Sequence, residues 1–157
     1  MLLEGIPNIP QPGDLDCLVT CCQQVLRHLG IEKGNTWLWR QLQASTGEIT
    51  AFSNLANLRK SLGLVVEMYE FNEDIFQFTS YLESGLPILV AVDADLSYEW
   101  PYYKEHAVVV IGCDDENVYV NDPAQDETGL EVDMEIFLHA WARRGYQFAV
   151  IRLAQPS

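Results

Sequence analysis

The stretch "HAVVVIGCDDENVYVNDPA" (residues 106–124) decides how the second half of this 157-residue chain folds. Its two apolar runs, HAVVVIG (106–112) and NVYVND (117–122), flank the polar segment CDDE. β-Branched and aromatic residues on both sides of a short polar turn are typical of a β-hairpin. We therefore predict two antiparallel strands, with His106 at the start of the first and Asp122 at the end of the second.

The register of this hairpin decides whether His106 and Asp122 can meet. Opposed residues in a hairpin have a constant sum of residue numbers, so a turn centred on Asp114 would place the two side chains opposite each other on one face. A turn centred between residues 115 and 116 would instead place Asp122 on the other face. A His–Asp pair therefore requires an odd-length turn, or a β-bulge near Gly112, where glycine permits one.

A paired histidine and carboxylate are the base and the orienting group that a cysteine nucleophile needs. Cys17, at the end of QPGDLDC (11–17), directly precedes an amphipathic helical run, with Asp14 or Asp16 available as its N-cap. A thiol in the first turn of a helix faces unpaired amides and the positive end of the helix dipole, which favours the thiolate. Cys17 is therefore the candidate nucleophile.

The other two histidines fit the role of base less well than His106. His28 lies eleven residues along the same predicted helix as Cys17, roughly 16 Å away at 1.5 Å per residue. His139 lies within the last predicted helix, where it is more simply a surface or boundary residue. The Cys17 backbone amide and the side chain of Gln11 are the candidate donors to an oxyanion.

The order of predicted elements indicates an α+β fold with N-terminal helices and a mostly antiparallel β-sheet. Three prolines keep the segment up to Pro12 extended. No repeat or linker divides the chain, so we expect a single domain over residues 1–157. The other elements are helices at 16–29, 36–44, 53–63, 72–85 and 133–145, and strands at 64–71, 86–93 and 146–152.

Composition limits the partners and the location of the protein. Nine Lys+Arg against 23 Asp+Glu give a formal net charge of -14, which argues against nucleic acid or an anionic membrane and favours a basic or neutral partner. The chain has neither a signal-peptide pattern at its start nor an 18-residue apolar run. We therefore expect a cytoplasmic protein with no membrane insertion.

The four cysteines fit neither a disulfide framework nor a trusted zinc pattern, so we predict free thiols and no metal or other cofactor. A cysteine in a helix is also more often a core residue than a nucleophile. One alternative is a redox or metal-handling protein that uses Cys17, Cys21 and Cys22, because Cys17 and Cys21 are one helical turn apart.

Three stretches of the chain together resemble the C39 and C39-like cysteine peptidases, which have a papain-like fold. They are QPGDLDC, HAVVVIGCDDENVYVNDPA and the late FLHAW. That family has a glutamine six residues before a DCG cysteine that opens a helix, then an H-x-V-V-x-G strand and an N-D-P segment. The resemblance covers nearly the whole chain. It implies that Cys17 is the nucleophile, His106 the general base and acid, Asp122 the orienting residue and Gln11 an oxyanion-hole donor.

The resemblance also implies a function and exposes one departure. Familiar members remove leader peptides after a Gly-Gly site, so the expected function is cleavage of a peptide or protein substrate. Leu18 follows the cysteine where the family has a small residue, and its side chain would narrow the approach to the thiol. The alternative is a catalytically inactive domain that binds a peptide or protein partner. The aromatic stretch YEWPYY (98–103) is interpreted as core and rim, or else as a wall of the substrate cleft.

Overall fold

The computed structural model describes residues 1–93 and 105–155, so the stretch YEWPYY (98–103) lies outside the described residues. None of the helices in the described ranges is long and apolar enough to cross a membrane. The elements in chain order are α1 (Cys17–His28), α2 (Asn35–Gln41), a 3-10 helix (Phe52–Asn57), α3 (Leu58–Leu62), β1 (Val65–Tyr69), α4 (Phe76–Glu83), β2 (Ile88–Asp93), β3 (Glu105–Cys113), β4 (Asn117–Asn121), β5 (Leu130–Asp133), α5 (Met134–Ala142) and β6 (Phe148–Arg152).

The strands form a six-stranded antiparallel sheet with the order β1-β6-β2-β3-β4-β5. Helix α1 covers one face, where Leu89 and Val109 contribute to its core. Helices α4 and α5 cover the other face, where Val90 and Val108 join Trp141 in a second core. Because both faces are covered, β2 is buried along its whole length. The predicted α+β fold, with N-terminal helices on a mostly antiparallel sheet, is confirmed.

The predicted β-bulge lies between Val110 and Gly112. The pairs next to the turn are centred between residues 115 and 116, which alone would put Asp122 on the face opposite to His106. The extra residue shifts the register by one position and returns Asp122 to the face of His106. Between the turn and the bulge, Cys113 pairs with Val118 and Gly112 with Tyr119. On the far side of the bulge, Val110 pairs with Val120 and Val109 with Asn121.

The N-terminal arm runs beside this hairpin, in agreement with the predicted extended segment. The Leu3 amide donates to the Ile111 carbonyl at 2.7 Å, and Leu2 forms an isolated bridge with Gly112. A Cβ atom on Gly112 would lie 2.8 Å from the Leu2 side chain and from the Met1 carbonyl. Gly112 therefore allows the close approach of the arm, as well as lying at the bulge.

Two details of the predicted elements are wrong. Strand β5 was not predicted, because its four residues carry too short an apolar pattern to identify a strand. Helix α4 begins at Phe76 and not at residue 72. The side chain of Asn72 accepts from the Asp74 amide, and the side chain of Asp74 accepts from the Phe76 amide. These local turns compete with helix formation and delay its start.

Candidate active site

Cys17 is the first residue of helix α1, as predicted, and is 4% exposed. Asp16 occupies the N-cap position, but its side chain makes no capping hydrogen bond. Its backbone carbonyl accepts the Thr20 amide at 3.0 Å, which begins the helical pattern. The first amides of a helix have no acceptor within that helix. The backbone amides of the first turn of α1, next to the Cys17 thiol, are therefore not capped by the Asp16 side chain.

His106 and Asp122 form a buried pair at the ends of strands β3 and β4. The His106 Nε2 atom lies 2.6 Å from Asp122 Oδ1, and the two side chains are 1% and 0% exposed. The same Asp122 oxygen accepts the Ala124 backbone amide at 3.0 Å, which fixes one oxygen of the carboxylate in the turn after β4. The bulge of the hairpin thus brings together two side chains that the unshifted register would separate.

The environment of His106 favours its charged form. Burial alone lowers its pKa, but the hydrogen bond to Asp122, a hydrogen bond with Cys17 and the charges of both groups raise this pKa from 6.5 to about 9. Because Asp122 occupies Nε2, the nitrogen that remains to face the thiol is Nδ1. The structure therefore brings Cys17, His106 and Asp122 together in one group.

Gln11 lies next to this group without lining its opening. Its backbone amide donates to the Pro123 carbonyl at 2.6 Å, and its side-chain Nε2 donates to the Gly13 carbonyl at 2.7 Å. Within the described residues, the buried Gln11 Oε1 atom has no hydrogen-bond partner. Gln11 is thus anchored between the turn before Cys17 and the residue after Asp122, and its role as an oxyanion-hole donor stays a prediction.

An open cleft of about 330 Å³ reaches both Cys17 and His106. Leu18 also lines this cleft, and it is 2% exposed because its side chain belongs to the core beneath α1. It therefore forms part of a wall and leaves an opening to the thiol. Consecutive residues from the loop and 3-10 helix also line the cleft: Ile49, Thr50, Ala51, Phe52 and Ser53.

Charged residues also line this cleft, and they were not predicted from the sequence. Arg144, which follows α5, and Glu105, at the start of β3, form an ion pair at 3.0 Å and both line the cleft. Arg143 similarly contacts Asp93 at 2.8 Å. Glu105 adjoins His106 in sequence and could have been found from that position. The two arginines carried no signal, because only the packing of α5 against the sheet brings them to this edge.

The remaining cysteines lie in different environments. The Cys21 thiol donates to the Ala107 carbonyl at 3.4 Å, and its pKa is raised by burial and by the charges of Cys17 and Asp122. Burial raises the pKa of Cys22 to about 12. Both side chains are fully buried in the core beneath α1. Among the described residues there is no group of three or more His, Cys, Asp or Glu that could hold a metal ion.

His28 and His139 lie away from the group around Cys17. The His28 ring lies 2.8 Å from the Gly85 carbonyl at the far end of α1, and His139 is exposed on α5. His106 is therefore the one histidine of the chain that contacts Cys17 and Asp122.

Comparison with known proteins gives one family match. A model described as the Peptidase_C39 like family matches residues 3–149. A search of curated proteins gave no match.

Several crystal structures share the fold. A protein assigned as a C39-like peptidase from Bacillus anthracis superposes with a TM-score of 0.78 at 22% identity, covering 99% of this chain and 98% of that chain. The peptidase domain of Streptococcus ComA, a bifunctional ABC transporter, gives 0.74 at 18% identity, covering 96% and 100%. A double glycine motif protease from an AMS/PCAT transporter, in complex with the leader peptide, gives 0.71 at 19% identity, covering 97% and 94%. The predicted papain-like fold is confirmed.

Proposed function

The chain belongs to the Peptidase_C39 like family, and from this premise we propose that it is a cysteine peptidase that cleaves a peptide through Cys17, His106 and Asp122. The observation that carries the proposal is the contact of Cys17 with a buried His106–Asp122 pair at the edge of an open cleft. An imidazole that is held charged beside a thiol favours the thiolate, which is the nucleophilic form.

In the proposed reaction, the Cys17 thiolate attacks the carbonyl carbon of the scissile peptide bond. The His106 imidazolium then gives its proton to the leaving amine, and a thioester remains on Cys17. His106, now neutral, accepts a proton from water as the water attacks the thioester. The peptide acid leaves, and its departure restores the thiolate and the imidazolium. Asp122 holds the imidazole ring in orientation and stabilises its charged form throughout.

The oxyanion formed in each attack requires hydrogen-bond donors. The Cys17 amide is one candidate, because it lies in the first turn of α1 without an intrahelical acceptor. Gln11 is the other candidate. Its Nε2 atom carries two N–H groups, and one of them donates to the Gly13 carbonyl. The second N–H group is the one that would reach the oxyanion.

We propose a peptide as the substrate, with removal of a leader peptide as its most specific form. One structure with the same fold is a double glycine motif protease in complex with a leader peptide. The net charge of -14 would favour the approach of a basic peptide or partner over an acidic one. We place this activity in the cytoplasm, in a single peptidase domain that spans residues 1–157, with no cofactor.

Alkylation by iodoacetamide tests the reactive group without knowledge of the substrate. Cys113 serves as the internal control, since its half-buried thiol has a pKa raised by burial and by Asp114. Mass mapping at pH 7 is expected to show faster labelling of Cys17 than of Cys113. His106→Ala is expected to slow the labelling of Cys17 alone. Equal labelling of the two cysteines in the native protein would contradict the proposal.

A catalytically inactive domain that binds peptides is the second candidate. The placement of Gln11 favours it, because this side chain donates to Gly13 and does not line the cleft. Digestion of synthetic peptides with and without a Gly-Gly site, followed by mass spectrometry, separates the two candidates. The peptidase is expected to lose turnover in Cys17→Ala, whereas the inactive domain would bind peptide equally in both forms and cleave none.

A further inference from the structure

Three side-chain amides form a hydrogen-bonded chain behind Asp122, and they come from three separate segments. Asn121 ends strand β4, Gln24 lies in helix α1, and Asn8 lies in the N-terminal arm. Asn121 Nδ2 donates to Gln24 Oε1 at 3.2 Å, and Gln24 Nε2 donates to Asn8 Oδ1 at 2.9 Å. Asn8 Nδ2 then donates to the backbone carbonyl of Asp122 at 2.7 Å.

Both ends of this amide chain hold the loop that contains Asp122, residues 122–129. At one end, Asn121 Oδ1 accepts the Gly129 amide at 2.9 Å. At the other end, Asn8 Nδ2 also donates to the Gln125 carbonyl at 2.7 Å. The donors and acceptors follow one direction from Gly129 to Asp122, so each bond polarises the next. The amide chain therefore closes the loop on itself through the arm and the helix.

Asp122 depends on such support because its own contacts leave it incompletely fixed. It lies one residue beyond the end of β4, where its carbonyl accepts the Gln125 amide of its own loop at 2.9 Å and the Asn8 side chain, in place of a strand partner. Its Oδ1 atom accepts from His106 and Ala124. Its buried Oδ2 atom has no hydrogen-bond partner among the described residues. The direction of the carboxylate therefore follows from the position of its backbone.

We propose that Asn8, Gln24 and Asn121 are positioning residues that hold the Asp122 backbone so that its carboxylate stays aligned on His106. The inference rests on the proposed function, in which Asp122 orients the catalytic imidazole. Gln24 and Asn121 are 2% and 0% exposed, so water does not compete for their hydrogen bonds.

Helix α1 links this amide chain to the nucleophile. Gln24 follows Cys17 by about two helical turns, so the two side chains project from the same side of α1. One rigid element thus sets the position of the thiol and, through Asn8, that of the orienting carboxylate. The N-terminal arm, which a sequence pattern would assign to a passive extended segment, supplies the final donor.

A substitution that tests this proposal must leave the charge around His106 unchanged. Among the described residues, the ionisable groups near His106 include Cys17, Asp122 and the adjacent Cys21 in the interior, and Glu105 and Arg144 in the cleft. A new carboxylate close to these groups would itself raise the pKa of His106. Neutral replacements are therefore required.

The variants are Asn8→Ala and Gln24→Met, which remove links of the amide chain without adding charge. Asn57→Ala is the matched control, because Asn57 Nδ2 donates to the Gln41 carbonyl at 2.9 Å and does not line the cleft. NMR titration of the His106 ring reads the alignment of Asp122 directly. Both test variants are expected to titrate about one pH unit below the native protein, since the carboxylate is less well aligned. The control is expected to titrate as the native protein does.

Native titration of His106 in both test variants would overturn the proposal, even if they lose thermal stability like the control. If neither test variant folds, hydrogen exchange in the native protein tests the proposal instead. Slow exchange of the Gln24 and Asn121 side-chain amides supports the amide chain, and fast exchange overturns it. None of these measurements uses a substrate. They therefore keep their meaning if the protein cleaves no peptide, and a failure of the proposed function is seen separately in the labelling of Cys17.

Discussion

At the scale of single residues, the proposed chemistry depends on the charge of the His106 ring. Burial lowers the pKa of this imidazole, whereas Asp122 and Cys17 together raise it to about 9. The ring is therefore protonated at neutral pH, in contact with a carboxylate on one side and a thiol on the other. In the proposed reaction, this imidazolium would supply the proton for the leaving amine.

We expect kcat/KM for peptide cleavage to fall as the pH rises through about 9, because the imidazolium then loses its proton. Asp122→Asn removes the carboxylate that raises this pKa, so the fall should begin at lower pH. Turnover at pH 7 should drop by about 10²–10⁴-fold. A pH–rate profile of each protein gives both quantities.

Asp126→Asn is the matched control for this prediction, because it removes one negative charge from an exposed residue of the same loop. Its profile should coincide with that of the native protein. An Asp122→Asn profile with an unchanged alkaline fall would show that Asp122 does not set the charge of His106.

Leu18 gives a second prediction at this scale. Its side chain is part of the core beneath α1, so Leu18→Ala should lower the free energy of unfolding by about 2–4 kcal/mol. Leu26→Ala, on the same helix and away from the cleft, should cost a similar amount. Urea denaturation measures both changes.

The rate of Cys17 alkylation separates these two variants. The cleft already reaches the Cys17 thiol beside Leu18. Neither truncated variant should therefore be alkylated at Cys17 faster than the native protein. A large increase in Leu18→Ala alone would mean that this side chain blocks the thiol. The departure of this chain from the small residue of the family would then be an obstacle to activity.

Three of the candidate site residues named from the sequence lie at the ends of regular elements. Cys17 begins a helix, His106 lies near the start of a strand and Asp122 follows the end of one, and hydrophobic periodicity marks such positions. Gln24 and Arg144 could not be predicted in the same way. Gln24 lies inside a helix and Arg144 follows one, and each reaches the site only through contacts with segments that are distant in sequence.

At the scale of elements, the β3–β4 hairpin determines whether the site can form. A strand has a side-chain period of two residues, so a register shift of one residue moves every side chain to the other face. The bulge between Val110 and Gly112 supplies this shift. Parity of the residue numbers predicted the need for it, but the location of the bulge follows from packing, including the arm that approaches Gly112.

Deletion of Val109, between the bulge and His106, should place Asp122 opposite Ala107 and so turn it away from His106. The pKa of His106, which Asp122 and Cys17 raise, should then fall to or below its usual value of 6.5. Peptide cleavage should fall by at least about 10²-fold. NMR titration and kinetic assays check the two expectations.

Deletion of Asp115 is the control for this prediction, because it shortens the turn and leaves the bulge in place. Asp122 should then remain on the face of His106, and the elevated pKa should persist. A native His106 titration in the Val109 deletion would show that the hairpin recovers its register by another route.

At the scale of the whole molecule, the net charge of -14 and the buried pair respond to different conditions. Mutual repulsion of surface carboxylates destabilises the compact state, and salt screens it. The His106–Asp122 pair is buried, so salt has little access to it. Added salt should therefore raise the melting temperature through the surface charges, while leaving the contribution of the buried pair unchanged.

The buried pair should instead appear in the dependence of stability on pH. The pKa of His106 is about 9 in the folded protein and 6.5 as a reference for the unfolded chain, so the folded state binds this proton more tightly. The resulting stabilisation is complete below pH 6.5 and is lost as the pH rises through 9, in total about 2–4 kcal/mol. Urea denaturation between pH 6 and 9 measures this decline.

In the lower part of that pH range, the contribution of His106 to the pH dependence of stability can be measured without that of the cysteines. The raised pKa values of Cys21, Cys22 and Cys113 also reduce stability at high pH, but only above the usual thiol value of about 8.5. Between pH 6.5 and 8 the decline should therefore come from His106, persist in high salt and be reduced in Asp122→Asn. A decline that salt abolishes, or that Asp122→Asn retains in full, would assign it to the acidic surface, and the charge of His106 would then contribute nothing to the fold.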